Sequence, residues 1–168
     1  SPVTGLDLQA LVGRLAQRSA DRSEATIQSD IRTLLLAAPL NLTEHGVESI
    51  SLESPAGERR RIDIEAGFAV IEVKRDLRTG NVKDEAVGQL AGYVKQRTQL
   101  LGQRYVGVLT DGADWLLYHL TPDGELAQIG EVFSLTDSPE GRNELFMWLE
   151  SVLATGQQIA PTPIEIEG

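Results

Sequence analysis

Cysteine is absent from this 168-residue chain, which excludes disulfides and thiolate metal sites. Histidine is nearly absent as well: only His45 and His119 occur, far apart in sequence, which speaks against a histidine-rich zinc site. No apolar run approaches the roughly 18 to 20 residues of a membrane span, and the start lacks a basic-then-apolar signal pattern. A chain that works in the cytoplasm without a membrane is therefore expected. Positive charge is scarce, with 15 Lys and Arg against 25 Asp and Glu, a net charge of −10. That balance disfavours unaided binding to duplex nucleic acid, because such affinity comes largely from cations that neutralise phosphates. The length suits one domain with a substantial core and is too short for two ordinary ones.

Against this background, residues 61 to 74 read Arg-Ile-Asp-Ile-Glu-Ala-Gly-Phe-Ala-Val-Ile-Glu-Val-Lys. Two alternating runs rich in β-branched residues flank Ala66-Gly67, the pattern of paired strands about a tight turn. With Ala66 and Gly67 as the loop, Glu65 faces Phe68, Asp63 faces Val70 and Arg61 faces Glu72. Asp63 then lies diagonally across from Glu72, at roughly 5 to 8 Å between Cβ atoms, and Lys74 follows on the same side. Ile62, Ile64, Ala69, Ile71 and Val73 point the other way, so the hairpin is expected to have one greasy face and one charged face.

Two carboxylates at that distance repel each other and hold protons more tightly unless a cation sits between them. Mg²⁺ suits the pair, since it takes oxygen ligands and is typically held by one or two carboxylates, several waters and a substrate phosphate. Mn²⁺ is the expected substitute. The backbone carbonyl of Val73, on the same strand as Glu72, is a further candidate ligand. Lys74 adds a point charge that can hold a phosphate oxygen or orient an attacking water. An exposed Glu-Val-Lys strand is also an ordinary surface feature, so the neighbouring elements have to decide.

The rest of the chain reads as alternating helices and strands. Thr4 to Arg18 is a predicted helix with Thr4 and Asp7 as a capping box. A second helix runs from the Ser23 cap to about Leu36, with Ile27, Ile31, Leu34 and Leu35 as its buried stripe and Glu24 and Gln28 on the same side. A strand over Val47 to Leu52 and a turn over Ser54 to Gly57 precede the hairpin. A helix from Lys83 or Asp84 to about Leu100 carries Gln89 and Tyr93 four residues apart, hence on one face. Strands follow over Tyr105 to Thr110, Trp115 to Leu120 and Leu126 to Phe133, with turns at Asp111-Gly112 and Pro122-Asp123-Gly124. Ser138 caps a last helix reaching about Ala154. This order predicts an α/β domain over residues 1–156, a mixed sheet with helices on both faces, and a linker or tail over 157–168 toward a downstream domain. Trp115 and Tyr118 fall on opposite strand faces, which favours packing over base stacking.

Asp63, Glu72 and Lys74, with Gln89 and Tyr93 in Gly-Gln-Leu-Ala-Gly-Tyr, resemble the PD-(D/E)XK nuclease superfamily, particularly the N-terminal nuclease domain of multidomain restriction enzymes of type I and type IIG character. The leading proline of that motif is absent, since Ile62 precedes Asp63. Glu24 matches the acidic residue often found on the first core helix, and Val108 to Tyr118 is similar to the strand-turn-strand that completes the sheet. The resemblance spans roughly residues 20 to 120. It implies a restriction-endonuclease-like mixed β-sheet flanked by α-helices, with Asp63, Glu72, Lys74 and Gln89 catalytic. Asp63, Glu72, the Val73 carbonyl and Glu24 would be metal ligands, and Gln28 and Tyr93 would support them. It further implies a Mg²⁺-dependent deoxyribonuclease acting on double-stranded DNA, leaving a 5′-phosphate and a 3′-hydroxyl. Methyltransferase, translocase or target-recognition domains would be covalently linked to it.

Charge segregation fits that expectation in part. Nine of the fifteen basic residues lie between positions 59 and 97, and Arg61, Arg75, Arg78 and Lys83 are the candidates for contact with the nucleic acid. The alternatives are a DNA-holding or interdomain scaffold module of the same fold and, more weakly, an RNA or nucleotide phosphodiesterase.

Overall fold

A computed structural model describes residues 7–40, 47–53 and 59–158. Its elements in chain order are α1 (Leu8–Ala16), α2 (Glu24–Ala37), β1 (Val47–Glu53), β2 (Arg59–Ala66), β3 (Ala69–Val73), α3 (Val82–Leu101), β4 (Val106–Thr110), β5 (Asp114–Leu120), β6 (Leu126–Ser134) and α4 (Pro139–Gln158). The six strands form one sheet in sequence order, antiparallel throughout except where α3 crosses over to set β4 parallel to β3. Among the described residues no helix is long and apolar enough to cross a membrane.

Local chemistry sets most boundaries. The Ser23 Oγ accepts the Thr26 N–H at 3.1 Å and starts α2, and Gly102, at φ +65°, ends α3 in the left-handed region that glycine tolerates best. At α1 the cap is Asp7 itself, whose carboxylate accepts the Ala10 N–H at 3.0 Å; Thr4 and the rest of the expected capping box lie outside the described residues. The expected turn over Ser54 to Gly57 also falls outside them, as does most of the expected tail, although α4 extends through Gln157 and Gln158.

Both faces of the sheet are covered. α1, α2 and α4 lie over one face around Leu11, Ile31, Trp115 and Leu145, and α3 lies over the other around Ile62, Val70, Leu90 and Leu109. Trp115 and Tyr118 are split between these two cores, as their spacing requires. Every residue of β3 and β4 is buried, the pattern of central parallel strands with helices on both sides.

Two expectations for the hairpin are corrected. The turn residues are Gly67 and Phe68, with Ala66 paired to Ala69 and Glu65 to Val70. Gly67 takes φ +58°, and the Phe68 ring packs edge-on against Tyr105 with centroids 5.7 Å apart, which anchors the turn one position later. The register is thereby shifted by two residues, and the paired ladder ends at Ile64–Ile71, just short of Asp63 and Glu72. The second correction concerns faces: the charged side of the hairpin packs against α3, and the apolar residues do not all share the other side. Ile62 leaves the face it was expected to share with Ile64 and enters the α3 core. The cause is a bulge. Glu48 and Ile50 of β1 pair with Glu65 and Ile62 of β2, so three steps on β2 match two on β1, and the extra residue falls at Asp63–Ile64.

Candidate active site

The bulge re-aims Asp63. A regular ladder beyond the Ile64–Ile71 pair would deliver the Val73 N–H to a β2 carbonyl; instead the Asp63 Oδ2 accepts it at 2.8 Å. Asp63 is thereby tied to β3 beside Glu72. Glu72 sits next to last in β3, paired with Leu109 of β4, and is 4% exposed. Lys74 follows the strand, its N–H donating to the Thr110 carbonyl at 3.0 Å. Its ammonium lies 3.4 Å from Glu72 Oε2 and donates to Gln89 Oε1 at 3.3 Å. Two strands and one helix therefore bring together Asp63, Glu72, Lys74 and Gln89. Tyr93, one turn further along α3, is buried in the core beneath.

The electrostatics of this group are unbalanced. Burial raises the Asp63 carboxyl above its ordinary range. Burial, and then the neighbouring Asp63 charge, push Glu72 up to about 8, against the opposing pull of Lys74. Glu72 Oε1 is buried without a hydrogen-bond partner. The arrangement thus holds two carboxyls in an environment that resists their charge, which a divalent cation would relieve. Asp63 and Glu72 present carboxylate oxygens of the hard type such a cation prefers, and the Val73 carbonyl belongs to the same strand.

The chain matches no family model, no curated protein and no solved structure. Its functional reading rests on the site.

Glu24 does not complete a three-acid cluster. It is exposed in the first turn of α2, and among the described residues no three of the His, Cys, Asp and Glu side chains group to hold a metal. The helix dipole explains its position, since an acid is favoured at an N-terminus. Gln28, one turn later, is half-buried on the same helix.

The expected basic surface is only partly available. Arg75 and Lys83 are exposed. Arg61 is exposed too, with its Nε donating to Ser49 Oγ at 2.8 Å, and Arg78 grips Asp76 at 2.9 Å, which lowers that carboxyl to about 2. Arg97, counted by sequence position among the phosphate-facing cations, is committed elsewhere. It donates to both Glu65 oxygens at 2.7 and 3.0 Å, while the Tyr105 hydroxyl donates to Glu65 Oε2 at 2.9 Å. Burial and the Glu65 charge push the Tyr105 phenol up to about 12. This lock fastens the far half of α3 to β2, and the Lys74–Gln89 contact fastens the near half to the end of β3.

A second charged network escaped the sequence reading because three segments distant in sequence build it: the α1–α2 connection, the residues after β3 and the β4–β5 turn. Arg18, after α1, lies 2.7 Å from Asp114 and 3.5 Å from Asp111; Arg22 and Asp76 adjoin the same cluster. Asp111 is fully buried. The available signal was the pair of acids around glycine in Thr110-Asp-Gly-Ala-Asp114, read in sequence as no more than a turn.

Proposed function

We propose that this chain is a Mg²⁺-dependent endonuclease domain of PD-(D/E)XK type that hydrolyses phosphodiester bonds of double-stranded DNA. On this reading it acts in the cytoplasm as the cleavage part of a restriction-modification enzyme, joined to methyltransferase, translocase or target-recognition domains. One observation carries the proposal: Asp63 and Glu72 from neighbouring strands meet beside Lys74 as two largely buried carboxyls that share a hydrogen bond only while one of them keeps a proton.

Asp63, Glu72 and the Val73 carbonyl would hold Mg²⁺, or Mn²⁺ in its place. Bound there, the ion supplies Lewis-acid polarisation of the scissile phosphate and lowers the pKa of a water. The protein's own groups do the rest. Glu72 must release its proton before it can act as a ligand, and the Lys74 ammonium favours that release. Lys74, held between Glu72 and Gln89, keeps a positive charge where a phosphate oxygen or attacking water arrives. Gln89 orients the lysine through a neutral amide and adds no charge of its own. The products would be a 5′-phosphate and a 3′-hydroxyl.

The test is incubation of the protein with plasmid and Mg²⁺ or Mn²⁺, alongside Asp63→Ala and Lys74→Ala. Nicking or linearisation by the parent that is lost in both variants is expected. Cleavage that persists unchanged in both removes the mechanism. A folded parent that never cuts favours the scaffold reading. An RNA substrate run in parallel separates the phosphodiesterase alternative.

A further inference from the structure

We infer that Asp111 and Arg22 are positioning residues for Lys74, a clamp on the three residues that follow it; the inference rests on the proposed catalytic role of that lysine. The segment after β3 is held at successive points. The Lys74 N–H donates to the Thr110 carbonyl at 3.0 Å, the Arg75 carbonyl accepts from Arg22 Nη2 at 3.3 Å, and the Leu77 N–H donates to Asp111 Oδ2 at 2.9 Å. Asp111 is itself built in. Its Oδ1 accepts the Ala113 and Asp114 N–H groups at 3.1 and 2.8 Å, which closes the turn between β4 and β5. Arg22 is anchored at its other end, where Nη1 donates to the Leu15 carbonyl at 3.1 Å.

The geometry of this turn serves the contact. Gly112 takes φ +90°, and a Cβ there would meet the Leu15 carbonyl oxygen at 3.1 Å and Arg22 Nη1 at 3.3 Å. The turn, the end of α1 and the Arg22 guanidinium are thus packed against one another. A buried carboxylate with both oxygens engaged by backbone donors does more than solvate a loop: it transmits the rigid β4–β5 turn to the segment carrying Lys74. Asp111 and Arg22 touch neither proposed metal ligand, so they act through position. A reacting group displaced by about 1 Å can lose on the order of 100-fold in rate.

Three variants separate this role from plain stability and from phosphate binding. Asp111→Asn keeps Oδ1 for the turn but presents an N–H₂ to Leu77. Arg22→Gln loses the bridge between Leu15 and Arg75, and Arg22→Lys keeps the charge but cannot span both carbonyls. Leu145→Ala, in the core under α1, α2 and α4, is the control for lost stability. Two readouts are taken: cleavage with Mg²⁺, split into kcat and KM for DNA, and the NMR resonances of the Gln89 side-chain amide with hydrogen exchange at Leu77. Asp111→Asn and both Arg22 variants should lower kcat by about 10- to 100-fold with KM within about twofold, and should shift the Gln89 resonances. Leu145→Ala should do neither at a temperature where it is folded. The clamp is overturned if the Gln89 resonances and Leu77 exchange are unchanged in Asp111→Asn, or if Arg22→Lys restores full kcat, which would make Arg22 a charge and not a tie. A parent without cleavage would defeat the nuclease reading, while the Gln89 and Leu77 signals would still decide whether the clamp holds Lys74.

Discussion

Glu72 binds a proton more tightly in the folded chain than its ordinary value of 4.5 allows, up to about 8. The sign of the consequence follows from linkage: between those values the native state holds the proton and the unfolded state does not, so stability falls as pH rises. Without divalent metal, the melting temperature should decline from about pH 5 to about pH 8, and Glu72→Gln should remove most of that slope. Added Mn²⁺ should raise the melting temperature more at the alkaline end, where less proton has to be displaced. A metal-free melting curve that is flat over this window would contradict the buried, raised carboxyl. A second expectation at this scale separates the site's members. Under the nuclease reading, Lys74→Ala should abolish cleavage, whereas Gln89→Ala, which leaves the lysine charged but unguided, should slow it by about 10- to 100-fold, measured on plasmid under single-turnover conditions.

At the scale of elements, the bulge and the β4–β5 turn are the features that make the site. Asp63 replaces a missing ladder carbonyl at Val73, and the bulge allows Ile62 and Ile64 to enter different cores on either side of it. The turn depends on Gly112, which combines a positive φ of +90° with a backbone oxygen close to where a side chain would begin. Gly112→Ala should therefore cost about 1–3 kcal/mol in urea unfolding. Gly107→Ala, in the middle of β4, meets the Leu90 side chain at 2.9 Å but adopts no positive φ. It should also cost about 1–3 kcal/mol, but by overpacking the buried Leu90 and Val94 side chains, so Leu90→Ala should relieve the loss at Gly107 and not the one at Gly112. A loss at Gly112 that Leu90→Ala relieves equally would contradict backbone strain as its cause.

At the scale of the whole molecule, the net charge of −10 is set against a small exposed set of cations beside the site. If Arg61, Arg75 and Lys83 each meet one phosphate, the logarithmic salt slope should be about −2.7, weakening duplex binding roughly 40-fold between about 50 and 200 mM salt. Fluorescence anisotropy with a short labelled duplex measures this, and a slope near zero would show that these residues make no phosphate contacts. Substituting Arg97 should leave the slope alone and lower stability instead, because that guanidinium is closed into the Glu65–Tyr105 lock.

Period and punctuation were enough to read the elements: the Ser23 cap, the stripe of α2, the alternation about Gly67 and the α3 spacing of Gln89 and Tyr93 are local facts, and local backbone preferences enforce them. They also implied that Glu72 and Lys74 share one side, since side-chain direction repeats every second residue, whereas the bulge and its bond to the Val73 N–H set where Asp63 points. Tertiary packing decided what no local rule contains. It chose the turn by seating Phe68 on Tyr105, inserted the bulge so that both sides of the sheet could bury apolar surface, left Glu24 outside the carboxylate pair, and drew Arg97 away from the surface. It also assembled Arg18, Arg22, Asp76, Asp111 and Asp114 from distant segments. Charge partners far apart in the chain are chosen by which loops the packed layers bring to one end of the sheet, and that information exists only once the layers have met.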